Sequence, residues 1–338
     1  MRRLIMKGIG CGLPVGSALL ILLAALVFGG AVYEGQAQAE AKTRFPAPGQ
    51  LVEVDGRTMH IQCRGEGSPT IILDAGQGGW SSDWADIMPE LSEENRVCAY
   101  DRAGYGWSEA SGDSRSPVEA SNDLAALLAA AQIEPPYVLV GFSHAGLANR
   151  IFAAQHAEQM AGMVLVDPAT EFDHEILGPA LLQQQRAAVN LFQGFGFAAR
   201  FGLVRLLGTE NMAGSAPFIA TNPPEPELYY TFVAEPQWWN TSVREFASGL
   251  DEEHMVTVRE QGAIGDMPLV IIASDVLGAA DDAAMEAVQA GRHEALRALA
   301  AQSAQGEFLI AEGSTHNVLA DRPDVVLSAI ARVLSARG

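Results

Sequence analysis

The sequence predicts an α/β fold with a mostly parallel, doubly wound sheet and an inserted helical lid. Short runs too apolar to carry a solvent face recur along the chain and alternate with segments of helical period, as parallel βαβ units require. Between Val166 and Leu269 the strand rhythm stops and helical text replaces it.

The elements follow in chain order. Leu51-Val52-Glu53-Val54 and Thr58 to Cys63, joined by the turn pair Asp55-Gly56, read as a hairpin. Thr70–Leu73, Val97–Tyr100, Tyr137–Val140, Met163–Val166, Leu269–Ile272 and Phe308–Ile310 read as strands covered on both faces. Val118 to Ile133 carries Ala120, Leu124, Leu127 and Leu128 at helical spacing, and Arg322-Pro323-Asp324 opens a last apolar helix that runs through Leu334. The expected organisation is a membrane segment at 1–33, a polar Pro-containing tether at 34–50, core at 51–169 and 266–338, and a helical lid at 170–265. Leu181 to Arg186, Pro223-Pro224 and Trp238-Trp239 mark that lid.

Composition narrows the function classes. With 338 residues, 49% hydrophobic and 18% charged, the chain is globular and long enough to fill its own core. Its 41 acidic against 21 basic residues give a formal charge of −20, a surface that repels a phosphate backbone, so no nucleic-acid partner is expected. The histidines are scattered without an H-E-x-x-H spacing, and no cysteine lies in a zinc pattern; neither a metal nor another cofactor is expected.

Arg2, Arg3 and Lys7 precede an uncharged stretch from Ile9 to Tyr33, densest from Ala18 to Phe28. A signal peptide's apolar region runs to about 7–15 residues and a bilayer span needs about 20, so this stretch favours an uncleaved anchor. Cleavage after the small-residue site Ala37-Gln38-Ala39 is the alternative, giving a secreted or periplasmic protein. Basic residues on the N-terminal side keep that end cytoplasmic and send the rest outward, so the catalytic part is expected outside the cytoplasm, held to a membrane by this segment. An oxidising compartment permits disulfides, and Cys63 and Cys98, each in a strand-like run, form a bridge if those strands are neighbours; two buried free thiols are the alternative.

The strand Tyr137–Val140 runs into Gly141-Phe142-Ser143-His144-Ala145-Gly146 and then helix-compatible sequence, a nucleophile elbow. The sharp turn strains the serine backbone and needs small neighbours, while the following helix N-terminus favours a developing anion. Beyond the elbow, residues 46–169 and 266–338 resemble the α/β-hydrolase superfamily, in particular its lidded serine hydrolases. Asp74-Ala75-Gly76-Gln77-Gly78-Gly79 is similar to that family's His-Gly-x-x-Gly oxyanion loop, with Ala75 where the family usually has His. Tyr100-Asp101-Arg102-Ala103-Gly104-Tyr105-Gly106-Trp107-Ser108 is similar to its Asp-Arg-x-Gly-x-Gly-x-Ser loop, which supports the site without a catalytic role.

The resemblance implies oxyanion donors at the backbone N–H groups of Gln77 and His144, with Gly76 and Phe142 beside the substrate. The His144 side chain either lines the pocket or packs at the helix start. Chain order in the family is Ser, acid, His, which makes His316, after the last strand, the base. For the acid, Asp275 follows the strand at 269–272 but earlier than the family pattern expects, whereas Asp167 ends the preceding strand and reaches the same histidine. Asp167 is favoured, with Asp275 as the alternative.

In the lid, Leu191, Phe192, Phe195, Phe197, Phe201, Leu203, Val204, Leu206 and Leu207 form an apolar segment that either packs inward, lines an acyl pocket or touches a bilayer. The expected activity is serine-dependent cleavage of a carboxylic ester, with an apolar small-molecule ester as the substrate. Serine at the elbow argues against alkyl-enzyme chemistry of the epoxide-hydrolase kind. Aminopeptidase or amidase activity is the alternative, because Glu171, Glu175, Glu225, Glu227, Glu235 and Glu245 offer the lid carboxylates for a substrate ammonium. A cofactor-free haloperoxidase-like side activity or acyl transfer to an alcohol would use the same residues, and a binding protein on a hydrolase scaffold is the reading from another class.

Overall fold

The computed structural model describes residues 15–112, 115–213, 219–276 and 283–336. Arg2, Arg3, Lys7 and Cys11, and with them the start of the expected membrane segment, lie outside the described residues.

A single eight-stranded sheet organises the chain, in the order β1-β2-β4-β3-β5-β6-β7-β8. The hairpin β1 (Gln50–Val54) and β2 (Arg57–Arg64) turns at Asp55 and Gly56, both with positive φ, the conformation a two-residue hairpin loop needs to match strand twist. β2 pairs antiparallel with β4 (Arg96–Tyr100). From there β3 (Thr70–Asp74), β5 (Tyr137–Phe142), β6 (Met160–Val166), β7 (Leu269–Ser274) and β8 (Gly306–Ala311) are parallel. All residues of β3 and β7 are buried, which is why these runs show no polar alternation in sequence.

The first described helix, α1 (Val15–Arg44), precedes the sheet. One face of the sheet is closed by α2 (Met88–Leu91) together with the last helix, and the other by α3 (Pro117–Ala130), α4 (Ala145–Gln155) and a later helix, giving two apolar layers. α3 starts from a capping box in which Ser116 and Glu119 satisfy each other's backbone N–H, with Pro117 at its first turn. Between β6 and β7 the chain forms α5 (Asp173–Ala199), α6 (Leu203–Leu207), α7 (Pro226–Val233), α8 (Pro236–Gly249) and α9 (Glu252–Gln261). α5 is broken at Gly178, whose φ of 72° is not helical, and resumes at Pro179. This insertion has its own aromatic core, with Trp238, Trp239, Phe192, Tyr229 and Phe232 buried around Trp80 from the loop after β3. α9 packs Met255 and Val258 on Leu147 and Ile151 of α4. The chain ends with α10 (Ala283–Ala300), α11 (Val318–Asp321) and α12 (Pro323–Ser335); α10 supplies Leu296 and Leu299 to the face under α3, and α12 supplies Val326, Ile330 and Val333 to the other.

A tether is expected at 34–50, but residues up to Arg44 continue α1 and only the stretch from Phe45 to Gly49 is irregular. Gln36 to Lys42 consists of strong helix formers with no Gly or Pro, so polarity there marks a helix leaving an apolar environment, not a loop. The described part of α1 is long and apolar enough to cross a membrane, and its apolar window is not buried against the rest of the protein. Cys63 and Cys98 face each other directly across β2 and β4 and form a disulfide. Denatured chain without reductant is therefore expected to titrate the Cys11 thiol only; additional titratable thiol from Cys63 and Cys98 would contradict the bridge.

Candidate active site

Chain order along the sheet reverses between β3 and β5, from which the connections lead away in opposite directions, and the crevice at the carboxyl ends of such strands is where open α/β sheets bind ligands. The loop after β3 carries Gly76 and Gln77, and the turn after β5 carries Ser143. Ser143 has φ of 53°, the left-handed region that costs a non-glycine residue of order 1–3 kcal/mol and persists only where surroundings impose it. Here they do: the Ser143 N–H donates to the Val166 carbonyl at 2.9 Å, and its own carbonyl accepts from Gly146 and Ala169. The tight turn also depends on missing side chains. A Cβ on Gly141 would stand 2.3 Å from Asn149 Nδ2, and one on Gly146 2.6 Å from Pro168 Cβ.

Asp167, at the end of β6, also has positive φ, 39°, and its N–H extends the ladder to the Ile272 carbonyl at 2.7 Å. Its carboxylate is almost wholly buried and faces His316 from the loop after β8: Oδ2 is 2.5 Å from His316 Nδ1, and His316 Nε2 is 2.9 Å from Ser143 Oγ. Oδ1 accepts from the Ser274 N–H at 3.2 Å and lies 3.4 Å from Arg292 Nη2. Burial alone would raise the Asp167 pKa; the hydrogen bond and charge of His316, with Arg292, hold it well below the usual carboxylate range. Asp167 therefore stays ionised, an acceptor only, so the imidazole Nδ1 must carry the proton and Nε2 is free to accept one from Ser143.

Asp275 does not join this group. Its carboxylate accepts from the Gly313 N–H at 2.8 Å and its own N–H donates to Ser314, so it braces the turn after β8. Phe142 stacks obliquely on His316 with ring centres 5.1 Å apart, and a Cβ on Gly76 would meet the Phe142 ring at 2.8 Å and Ser143 Cβ at 3.3 Å. Gly76 and Phe142 thus border Ser143 directly. Among the described residues no hydrogen bond of the chain uses the N–H of Gln77 or of His144. The His144 ring lies under the end of α8, where a Cβ on Gly249 would be 3.6 Å from it. Burial, opposed by Glu245, pushes its pKa down to about 4, so this imidazole is neutral at pH 7.

The loop after β3 is held from the insertion, which sequence reasoning does not foresee. Arg102 donates to Asp74 Oδ1 at 2.7 Å, to the Ala75 carbonyl and to the Gly76 carbonyl at 2.8 Å. The same guanidinium makes a two-pronged pair with Glu245 of α8, at 3.0 and 3.1 Å, and Tyr105 donates to that carboxylate at 2.8 Å. Burial works against the Glu245 charge, but Arg102, His144 and Arg115 bring its pKa down to about 2. Two further bonds run between the loop and α8: Gln77 Nε2 to the Ser242 carbonyl and Trp238 Nε1 to the Gly78 carbonyl, both 2.8 Å. Among the other carboxylates of the insertion singled out in the sequence, Glu171 is buried against Arg150, Glu175 pairs with Arg259 and Glu227 with Arg44, while Glu225 is exposed. Burial raises the Glu235 pKa to about 7, with Arg205 opposing.

A family model described as the alpha/beta hydrolase fold matches residues 69–290, and the chain belongs to this family. An uncharacterized protein of Bacillus subtilis, YqjL, is 36% identical over 117 residues, which is 34% of this chain and 46% of that protein. The chain spans less than half the length of the first curated relatives it matches. Among solved structures, a putative epoxide hydrolase from Pseudomonas aeruginosa aligns with a TM-score of 0.64 at 18% identity, covering 85% of this chain and 95% of that one. A thermophilic esterase from Thermogutta terrifontis aligns with a TM-score of 0.59 at 20% identity, covering 85% and 99%. At such identities the likeness concerns the fold; chemistry has to be argued from the side chains.

Proposed function

We propose that the protein is a membrane-anchored serine hydrolase that cleaves carboxylic esters through an acyl-enzyme. The observation that carries this reading is the relay from Ser143 Oγ through His316 to buried Asp167. Ser143 Oγ attacks the ester carbonyl while His316 Nε2 takes its proton; Asp167 keeps the imidazole in that tautomer and balances the imidazolium. The tetrahedral oxyanion is received by the N–H groups of Gln77 and His144. Collapse expels the alcohol, protonated by His316, and water then repeats the sequence on the acyl-enzyme with His316 again as base.

The elbow residue supports this chemistry over an alkyl-enzyme route, since Ser143 supplies an alkoxide-type nucleophile and no carboxylate stands in its place. The two fully buried carboxylates of the insertion, Glu171 and Glu245, are already neutralised by arginines, which leaves them no charge to spend on a substrate ammonium and weighs against an aminopeptidase. Residues 170–265 act as the lid in this reading. Residues 1–33 act as an uncleaved anchor, with the catalytic unit outside the cytoplasm; cleavage after Ala39 would leave Ala41 in place but take Glu34 away from Arg205.

The test is turnover of p-nitrophenyl acyl esters beside aminoacyl p-nitroanilides by the full chain in detergent. Ester hydrolysis that Ser143→Ala abolishes, with little or no anilide cleavage, is expected; preferential anilide cleavage would favour the peptidase, and no turnover of either by folded protein would favour a binding protein.

A further inference from the structure

We propose that the insertion carries a second membrane contact, a ridge formed by Phe197, Leu203, Leu206 and Leu207 that docks in the lipid leaflet where the apolar run of α1 ends. This rests on the anchor reading above and adds a partner surface to it. The sequence segment that holds the ridge divides into two sets. Phe192 and Val204 are buried in the insertion's core, whereas Phe197 is 61% exposed, Leu203 49%, Leu206 68% and Leu207 63%. Large apolar side chains gathered at the end of α5 and along α6 and facing solvent mark a contact surface rather than chance exposure.

The occupant follows from where that element is fixed. Glu34 of α1 is almost wholly buried and accepts from Arg205 Nε at 3.0 Å and Nη2 at 2.9 Å. One turn earlier, a Cβ on Gly30 would stand 2.5 Å from the Phe201 carbonyl, and a Cβ on Gly202 would stand 2.5 Å from the Tyr33 ring. Gly30, Tyr33 and Glu34 therefore clasp Phe201, Gly202 and Arg205, and α6 is held against one turn of α1. That turn ends the apolar run, since Glu34 is the first charged residue after Lys7. An anchored α1 puts this turn at the edge of the hydrocarbon, where spans give way to charged residues. Within α6, Val204 turns inward and Arg205 is paired with Glu34, so what remains facing outward is leucine. A short helix with this division, at this depth, has acyl chains within reach. The clasp ties the insertion that grips the oxyanion loop to the bilayer surface, so an apolar ester dissolved in that leaflet reaches the catalytic unit without crossing bulk water.

The experiment uses the full chain with Cys11→Ser, in which Cys63 and Cys98 are bridged and do not react. Leu203→Cys, Leu206→Cys and Leu207→Cys are made singly, spin-labelled and reconstituted in phosphatidylcholine vesicles. Power saturation then compares collisions with oxygen, which concentrates in lipid, and with a water-soluble nickel chelate. Leu22→Cys, within the apolar run, and Leu51→Cys, exposed on β1, are the lipid and water references. The expected result is an oxygen-to-nickel ratio at the three ridge positions several-fold above that at Leu51 and close to that at Leu22. Lipid exposure at Leu22 with nickel access at the ridge would overturn the docking proposal and leave the anchor standing. Nickel access at Leu22 as well would overturn both. Ridge labels shielded from oxygen and nickel alike would mean that protein, such as a second copy, covers the ridge, which also overturns it.

Discussion

Asp167→Asn is expected to lower ester turnover by about 10³–10⁴-fold, because an amide in that place no longer dictates which imidazole nitrogen carries the proton. Asp167 Oδ2 stands 2.5 Å from His316 Nδ1, and the near-isosteric Asn keeps the packing around β6. An amide can present its NH₂ to Nδ1, which drives the proton to Nε2 and leaves Ser143 without a base. Asp275→Asn is the matched comparison. Its carboxylate meets the Gly313 N–H, so this change is expected to leave turnover within a few-fold of the parent and to affect mainly the turn after β8. The check is turnover on one p-nitrophenyl ester for both variants, beside circular dichroism to establish folding. A large loss in Asp275→Asn with a mild one in Asp167→Asn would reverse the assignment.

Arg102→Met is expected to cost about 3–5 kcal/mol of stability, the range for removing one partner from a buried ion pair and stranding the other. Arg102 is buried and answers two carboxylates, Asp74 and Glu245, and two loop carbonyls, those of Ala75 and Gly76. Methionine fills part of the volume and satisfies none of these acceptors. Burial raises the Asp74 pKa even with Arg102 beside it, so without the guanidinium that side chain takes up a proton more readily still. The measurement is the urea midpoint of parent and variant in the same detergent, with Glu245→Gln and the double variant completing a cycle. A double variant less damaged than the sum of the singles is expected, since Glu245→Gln removes one of the stranded charges. A loss under about 1 kcal/mol in Arg102→Met would mean the pair does not hold the loop after β3 to α8.

The strands are legible in sequence because a covered parallel strand has nowhere to put a polar side chain, and runs such as Thr70–Leu73 and Leu269–Ile272 say so without alternation. The hairpin is legible from Asp55-Gly56, where positive φ is needed. The end of α1 is not, since Gln36 to Lys42 is equally polar in a loop or a helix, and only its docking on the insertion distinguishes the two. At the candidate site, Ser143 and His316 stand out because a strand end and a turn frame each of them. The choice between Asp167 and Asp275 depends on the path of two loops, which local sequence does not encode. The Arg102–Glu245 pair spans 143 positions and the Arg292–Asp167 contact 125. Glu245 is readable only as one of several carboxylates in the inserted segment, because its arginine partner is supplied by the fold rather than by neighbours in the chain.

Whether Ser143 is an activated nucleophile is tested most directly by intact mass of the full chain after treatment with a fluorophosphonate, beside Ser143→Ala and His316→Ala. Activation by His316 at 2.9 Å predicts one phosphonyl adduct per parent chain, abolished by Ser143→Ala and reduced to background by His316→Ala. A folded parent chain that takes up no adduct, or an adduct that persists in Ser143→Ala, would contradict it.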